Sequence, residues 1–297
     1  MKSLQKVYSI ALCCILFACT NHPAGNNASS SKTKVDIVSN NVHIAYTDSG
    51  TGDTTLLFVH GWIINKGYWS NQIDHFNKKY RVVAIDLPGF GQSGKNRKVW
   101  TTKAYGEDIK AVIDQLHLKN VILIGHSMSG DIVLQGAIDA GNNVIGLVGV
   151  DNFKGPGVPQ TGDTVKAKKE YDEAVTAMKK DFVAFATSYF NQDLFYKTTA
   201  DSIRKRILAD VKRADPAIAI ATITQDNFDE AAKLIEANKK LYMINSDYQP
   251  TDTSGLVRKK IPYKLLTIHA TGHFPMIEKP NEFNTALENV IADLRQR

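Results

Sequence analysis

The chain has 297 residues, of which 43% are hydrophobic and 22% are charged, and its formal net charge is +6. This composition is typical of a soluble globular protein with a sizeable core, and the length allows one large or two ordinary domains. The basic residues are spread along the chain, with small clusters at 166–169 and 258–260, and aromatic residues do not alternate with them. Nucleic-acid binding is therefore not favoured.

The N-terminus has the pattern of a secretory signal peptide. A short positive region precedes the apolar run Val7 to Ala18, which has the length of a signal-peptide core and is too short to span a bilayer. The run ends at Leu16-Phe17-Ala18-Cys19, which resembles the lipobox of bacterial lipoproteins, where the cysteine becomes lipid-linked after cleavage. We therefore predict a signal peptide over residues 1–18, a lipidated Cys19 and a flexible tether over residues 19–34.

This N-terminal pattern also predicts location and excludes some chemistry. A lipid on Cys19 would hold the protein in the bacterial cell envelope, facing the periplasm or the exterior, and this anchor would be its only membrane contact. Without the lipid, the protein would be secreted. All three cysteines, Cys13, Cys14 and Cys19, lie in this segment, so cleavage before Cys19 excludes a disulfide, a cysteine nucleophile and a cysteine-ligated metal in the folded domain.

Strands and helices alternate in two parts of the chain, residues 35–154 and 240–297. Continuous apolar runs are typical of strands buried on both faces, and the helical spacing between them predicts a parallel, doubly wound sheet. A hairpin opens the first part. The predicted strands are 35–38, 42–46, 56–59, 81–85, 121–124, 144–150, 241–244 and 263–268, and the predicted core helices are 68–76, 105–116, 130–140 and 280–294.

Residues 155–239 interrupt this alternation, because they contain helical periodicity and no buried strand. We predict a helical cap, with helices at 171–180, 182–190, 203–211, 218–224 and 228–234. Large apolar side chains of the cap are candidates to line a substrate pocket, although aromatic residues at helical spacing more often pack against a core. They are Met178, Phe182, Phe185, Tyr189, Phe190, Phe195 and Tyr196.

The sequence 125–129, Gly-His-Ser-Met-Ser, lies between a predicted strand and a predicted helix. It nearly matches G-x-S-x-G, a sharp turn that projects a nucleophilic serine from the end of a strand. Ser129 takes the place of the second glycine, and it is small enough for the helix to pack against the strand. Ser127 is therefore the candidate nucleophile, which needs a base because a free serine hydroxyl is a weak nucleophile.

Other predicted strands end in matching features. His60-Gly61-Trp62 follows one of them, where the backbone N–H of Trp62, together with that of Met128, can form an oxyanion hole. Gly272-His273 follows the last strand and supplies a candidate base. Asp86 opens the loop after the 81–85 strand, where we expect it to stabilise a turn.

These motifs together resemble the α/β-hydrolase superfamily, in particular its cap-bearing, cofactor-free group of esterases, perhydrolase-like proteins and carbon–carbon bond hydrolases. The resemblance covers residues 35–297. It implies an eight-stranded, mostly parallel α/β sheet with a helical cap, and no metal or organic cofactor. It also implies that Ser127 is the nucleophile and His273 the general base, whereas His126 and His269 are neighbours without a catalytic role.

The acid of the triad has three candidates. In the family it usually follows the strand after the cap, some 25 to 30 residues before the histidine. Asp247 fits this position best, and Asp252 is a later candidate in the same loop. Asp151 is the rival, because it follows the strand next to the nucleophile strand, a position that some family members use. We predict Asp247.

The resulting prediction is a serine hydrolase that cleaves a carboxylic ester or related acyl substrate through an acyl-enzyme. Carbon–carbon bond hydrolysis or perhydrolysis with the same triad is an alternative, and so is a ligand-binding or signalling protein on this fold. A serine at 127 argues against the dehalogenases and epoxide hydrolases that need a carboxylate there. The expected partner is a small acyl or aryl ester, and the sequence leaves the oligomeric state open.

Overall fold

A computed structural model describes residues 32–159, 162–224 and 228–295. The predicted signal peptide, Cys19 and most of the predicted tether lie outside these residues. Within the described ranges, no helix is both long enough and apolar enough to cross a membrane.

An eight-stranded sheet forms the centre of the described chain, in the order β1-β2-β4-β3-β5-β6-β7-β8. The hairpin β1–β2 is antiparallel, β2 is antiparallel to β4, and the remaining pairs are parallel. The predicted fold class is thus confirmed. The strands are β1 (Lys34–Ser39), β2 (Val42–Ser49), β3 (Thr55–Val59), β4 (Arg81–Ile85), β5 (Val121–His126), β6 (Val144–Val150), β7 (Leu241–Ser246) and β8 (Tyr263–Ile268).

The apolar runs become the inner strands because both faces of the sheet are covered. Every residue of β3 and of β5 is buried, as expected for parallel strands between two helical layers. The register brings the ends of these strands level: Val59 of β3 pairs with Gly125 of β5, and Val150 of β6 pairs with both His126 and Ile244. Residues that follow β3, β5, β6 and β7 therefore meet at one edge of the sheet.

Helices cover the two faces of the sheet. The helices of the core are α1 (Ser70–Phe76), α2 (Thr102–Gln115), α3 (Ser129–Ala140), α9 (Ser254–Arg258), α10 (Pro275–Glu278) and α11 (Pro280–Arg295). The short helices α9 and α10 have no counterpart in the sequence-based prediction, because four or five residues are too few to show helical periodicity.

Between β6 and β7, the described residues form helices and no strand. These helices are α4 (Thr164–Lys180), α5 (Phe182–Tyr189), α6 (Asp201–Arg213), α7 (Pro216–Ile223) and α8 (Glu230–Ala237), and a π-helical turn (Phe190–Leu194) follows α5. α4 begins seven residues before the predicted start. Asp163 caps it by accepting hydrogen bonds from the amides of Val165 and Lys166, and the first two turns are exposed and carry little apolar periodicity.

Candidate active site

Ser127 lies at the apex of the turn between β5 and α3. Its backbone has a φ of 54°, in the left-handed region that non-glycine residues seldom adopt. Two backbone hydrogen bonds hold it there: the Ser127 N–H donates to the Val150 carbonyl (2.9 Å), and its carbonyl accepts from the Gly130 N–H (2.8 Å). The side-chain amide of Asn152 also donates to the Ser127 carbonyl. At Gly125, an added Cβ would collide with the Ser129 carbonyl, so the close approach of α3 to β5 requires this glycine.

Ser129 stands where the resemblance implies a glycine, and its hydroxyl has a structural partner. The side chain is fully buried and donates a hydrogen bond to the carbonyl of His60, at the end of β3. A serine is therefore accommodated at this position because its hydroxyl has a hydrogen-bond partner, and not only because the side chain is small. The bond joins the start of α3 to the loop that carries Trp62.

We expect Ser129→Ala to lower the free energy of unfolding by about 1–3 kcal/mol, because it leaves a buried carbonyl without its donor. Urea denaturation of both proteins measures this difference. Ser49→Ala, which removes a shielded hydroxyl that has no hydrogen-bond partner among the described residues, is the comparison for loss of a hydroxyl alone. A Ser129→Ala protein as stable as wild type would contradict the structural role of this bond.

His273 is fixed by its backbone as well as by its ring. Its N–H donates to the carbonyl of Leu194 in the π-helical turn (2.8 Å), and its carbonyl accepts from Nε2 of His126 (2.7 Å). The Nδ1 atom of His273 lies 2.6 Å from Oδ2 of Asp151. With Nδ1 held by a carboxylate, Nε2 is the ring nitrogen left for proton transfer.

His126 holds this loop as a neutral ring. Burial, followed by the proximity of His273, lowers the pKa of His126 to about 3. The ring is fully buried beside His273, with centroids 4.7 Å apart. His126 must carry its proton on Nε2 in order to donate to the His273 carbonyl, so it positions His273 rather than exchanging protons.

Asp151 is buried directly after β6 and is fully engaged in hydrogen bonds. Its Oδ1 accepts from the N–H and the hydroxyl of Ser246 (3.0 and 2.8 Å) and from Nζ of Lys154 (2.7 Å). Burial alone would raise its pKa, but the hydrogen bonds and charges of His273 and Lys154 outweigh burial and hold the pKa of Asp151 below its usual range. Asp151 is therefore an ionised partner for His273 at neutral pH.

The predicted acid, Asp247, is not the partner of His273, and this corrects the sequence-based assignment. Its side chain is 43% exposed and binds Nδ1 of His269 on the surface (2.7 Å), whereas that of Asp151 is fully buried. Asp247 lies one residue beyond β7, where its carboxylate contacts His269 and accepts from the Ala270 N–H, whereas Ser246 at the end of the strand contacts Asp151. Asp252 is also excluded, because its carboxylate accepts from the Ser254 N–H at the start of α9.

Trp62 and Met128 follow β3 and Ser127, respectively, and both border the cavity of Ser127. Within the described part of the chain, neither of their backbone amides takes part in a hydrogen bond. The indole Nε1 of Trp62 donates to the carbonyl of Ala219 in α7 (2.9 Å), and its ring stacks on Phe190 of the cap. The cap thereby fixes the loop that carries one candidate oxyanion donor.

The structure brings Ser127 and His273 to a single cavity of about 400 Å³ between the sheet edge and the cap. Of the seven cap side chains proposed for the pocket, two line it, Tyr189 and Phe190. Met178, Phe182 and Phe195 are buried in the core cluster instead. The described lining residues are Trp62, Thr102, His126, Ser127, Met128, Asp131, Tyr189, Phe190, Leu194, Thr222, Ile223, Phe228, Glu230, His273 and Phe274.

Comparison with known proteins decides the family. The sequence profile of the alpha/beta hydrolase fold matches residues 54–280, about three quarters of the chain. The chain belongs to the α/β-hydrolase family. A thermophilic esterase from Thermogutta terrifontis covers 89% of this α/β-hydrolase with a TM-score of 0.75 at 19% identity, and 99% of that chain is matched. A bromoperoxidase from Bacillus anthracis covers 89% with a TM-score of 0.74 at 23% identity, and all of that chain is matched.

A relative in sequence is longer than this α/β-hydrolase. The dihydrolipoyllysine-residue acetyltransferase component of the acetoin cleaving system of Cupriavidus necator is 23% identical over 255 residues, 83% of this chain and 66% of that protein. Matches to two further curated relatives span 32% and 30% of their lengths. The family profile establishes the family and the solved structures support the fold, and neither identifies the substrate.

The sequence analysis missed two acidic residues in the cavity of this α/β-hydrolase. Asp131 of α3 and Glu230 of α8 both line it, and burial raises the pKa of each. The negative charge of Asp131 raises the pKa of Glu230 further. Asp131 had a signal in the sequence, because it follows the serine turn directly, in the first turn of the helix that the turn opens. Glu230 had none. The described residues contain no cluster of His, Cys, Asp and Glu suited to a metal ion.

This acid pair predicts a pH dependence of stability. Since the pKa of each carboxyl is raised on folding, the stabilisation is fully present below the unfolded pKa, near 4, and is lost as pH rises through the folded values. We expect the acid pair to lower the unfolding free energy between pH 5 and pH 8, against a rise from the buried His60 and His126, whose pKa values are lowered by burial. In Asp131→Asn/Glu230→Gln, this fall should be smaller by at least about 1.4 kcal/mol, the equivalent of one pKa unit. Urea denaturation at both pH values tests this, and identical pH dependence would contradict it.

Proposed function

We propose that the protein is a serine hydrolase that cleaves a carboxylic ester or related acyl substrate through an acyl-enzyme. One observation carries the proposal: His273, held through Nδ1 by the buried Asp151, lines the same cavity as Ser127 on its left-handed turn. This is the arrangement of roles in a serine triad, namely a nucleophile, a base and an acid that orients the base.

In the proposed reaction, the Ser127 hydroxyl attacks the ester carbonyl while Nε2 of His273 accepts its proton. Asp151 keeps the proton of the ring on Nδ1 and stabilises the imidazolium that forms. The negative oxygen of the tetrahedral intermediate accepts hydrogen bonds from the amides of Trp62 and Met128. His273 then returns the proton to the leaving alcohol, and water releases the acyl group from Ser127 by the same steps.

A fluorophosphonate probe tests the nucleophile. It reacts with an activated serine, so we expect one adduct per molecule, located on Ser127 by peptide mass spectrometry, and none in Ser127→Ala. Ser254→Ala, which removes an exposed-loop serine at the start of α9, is the matched control and should label like wild type. Failure of the folded wild-type protein to label would favour the ligand-binding alternative and overturn the proposal.

A panel of p-nitrophenyl esters tests the reaction. A cavity of about 400 Å³ lies at the lower end of the range for small-molecule sites, so short acyl chains should react better than long ones. Labelling of Ser127 without hydrolysis of any ester would exclude a general esterase and leave the more specialised hydrolases of the family.

We also propose that Cys19 is lipidated and tethers the catalytic domain to the bacterial cell envelope. The support is the sequence alone, namely the apolar run that ends at Cys19 and the polar segment behind it. Expression with radiolabelled palmitate in a bacterial host should label wild type and leave Cys19→Ser unlabelled. Equal labelling of both proteins would refute this location.

A further inference from the structure

Two carboxyl side chains, those of Asp131 and Glu230, line the cavity of Ser127. Asp131 belongs to the first turn of α3, and Glu230 is the first residue of α8 in the cap, so the two carboxyls approach the cavity from its core side and its cap side. Among the described residues that line the cavity there is no lysine or arginine. The side chain of His126, which also borders the cavity, supplies no positive charge, because burial lowers its pKa.

One oxygen of this pair lacks a donor. Oδ1 of Asp131 is shielded from solvent and has no hydrogen-bond partner among the described residues. A buried acceptor without a donor is costly, and such atoms in folded proteins call for an explanation. A protonated Glu230 donates one hydrogen bond to Asp131, but the pair cannot supply a second donor for its remaining oxygens.

Aromatic rings border the same cavity. The side chains of Trp62, Phe190 and Phe274 lie on its walls, and Phe190 stacks on both of the other rings. Ring faces attract cations, and the attraction grows when the cation is removed from water. A cavity with carboxyls and aromatic walls, and with no lysine or arginine among its described lining residues, favours a positively charged group over a neutral or negative one.

We propose that Asp131 and Glu230 form a subsite that binds a protonated primary amine on the ester substrate. A primary ammonium has three N–H donors, so it can satisfy the orphaned oxygen of Asp131 and a second oxygen of the pair at once, which a quaternary ammonium cannot. Because Asp131 lies in the first turn of α3, four residues after Ser127, and both line the same cavity, a substrate that reaches both needs only a short chain between its carbonyl and its amine. This inference rests on the proposed hydrolase function.

Two pairs of methyl esters test the subsite. Methyl 3-aminopropanoate is compared with methyl butanoate, and methyl 6-aminohexanoate with methyl heptanoate, so that a methyl group replaces the ammonium in each pair. We expect wild type to hydrolyse one amino ester at a kcat/KM at least about tenfold above that of its neutral partner, the effect of one charge-assisted hydrogen bond. In Asp131→Asn/Glu230→Gln, this ratio should fall by about tenfold or more.

The ratio of the two esters is the readout, so the double variant need not keep its full activity. Asp139→Asn, the same change of charge on α3 outside the cavity lining, should keep the wild-type ratio. Fluorophosphonate labelling of Ser127 in each variant verifies that the site is folded. Neutral esters hydrolysed without any preference for the amine, or a preference that survives in the double variant, would overturn the subsite. No hydrolysis of either kind by wild type would count against the proposed function instead.

Discussion

Asp151→Asn is expected to lower kcat by about 10⁴-fold at pH 7.5 and to leave KM nearly unchanged. An asparagine can still hydrogen-bond to Nδ1 of His273, but it presents no negative charge to the imidazolium, and its amide can donate to Nδ1 and so hold the ring in the wrong tautomer. The surroundings make this substitution severe. Ser246 and Lys154 donate to Oδ1, and Oδ2 binds His273, so the site is built for a carboxylate.

Asp247→Asn and Asp252→Asn are the matched controls, since each removes one carboxylate from the loop after β7. Both should keep kcat within about twofold of wild type, because their partners are His269 on the surface and the start of α9. Steady-state kinetics on a p-nitrophenyl ester measures all three variants, and circular dichroism checks their folding. If Asp247→Asn were inactive and Asp151→Asn active, the assignment of the acid would be wrong.

The difference between Asp151 and Asp247 explains what could be predicted from this sequence. The strands and core helices were predictable because burial on two faces leaves apolar runs that can be read locally. The serine turn was predictable for the same reason, since strand, glycine, serine and helix follow one another within about ten residues. The acid depends on which of two neighbouring strand ends turns its carboxylate inward. In the structure, Ser246 and Lys154 hold the Asp151 carboxylate. Ser246 lies 95 residues from Asp151 along the chain, and Lys154 lies close in sequence but belongs to no recognisable motif.

The cap was the least predictable part. Its helices show periodicity, but the sequence does not say which apolar side chains face the cavity and which face the sheet. Phe182 and Phe190 both carry the spacing of a buried stripe, yet only Phe190 lines the cavity. Glu230 illustrates the same limit, because a charged residue at the start of a helix usually reflects the helix dipole. Its approach to Asp131 results from the packing of α8 on α3, which only the tertiary structure specifies.

Ser127→Ala and Ser127→Gly should both lower kcat by about 10⁶-fold, since without the hydroxyl no acyl-enzyme can form. The two variants separate the chemistry of this residue from its backbone strain. Ser127 has a φ of 54°, a conformation that costs an L-residue about 1–2 kcal/mol and glycine almost nothing. The glycine variant also loses about 0.4–1 kcal/mol of stability, because its unfolded chain has more conformational freedom. We therefore expect the glycine variant to be more stable than the alanine variant by about 0.5–1 kcal/mol.

Urea denaturation of the two inactive variants measures this difference, and substrate turnover does not complicate it. The matched control is Gly125→Ala, two residues earlier, where an added Cβ would collide with the Ser129 carbonyl. Gly125→Ala should destabilise the fold, because only glycine leaves room for the Ser129 carbonyl. At position 127, glycine should be tolerated because it adopts a positive φ without strain. An alanine variant more stable than the glycine variant would mean that the turn is not strained. The hydrogen bonds to Val150 and Gly130 would then hold Ser127 at no cost, and its exposure to the cavity would follow from chain connectivity alone.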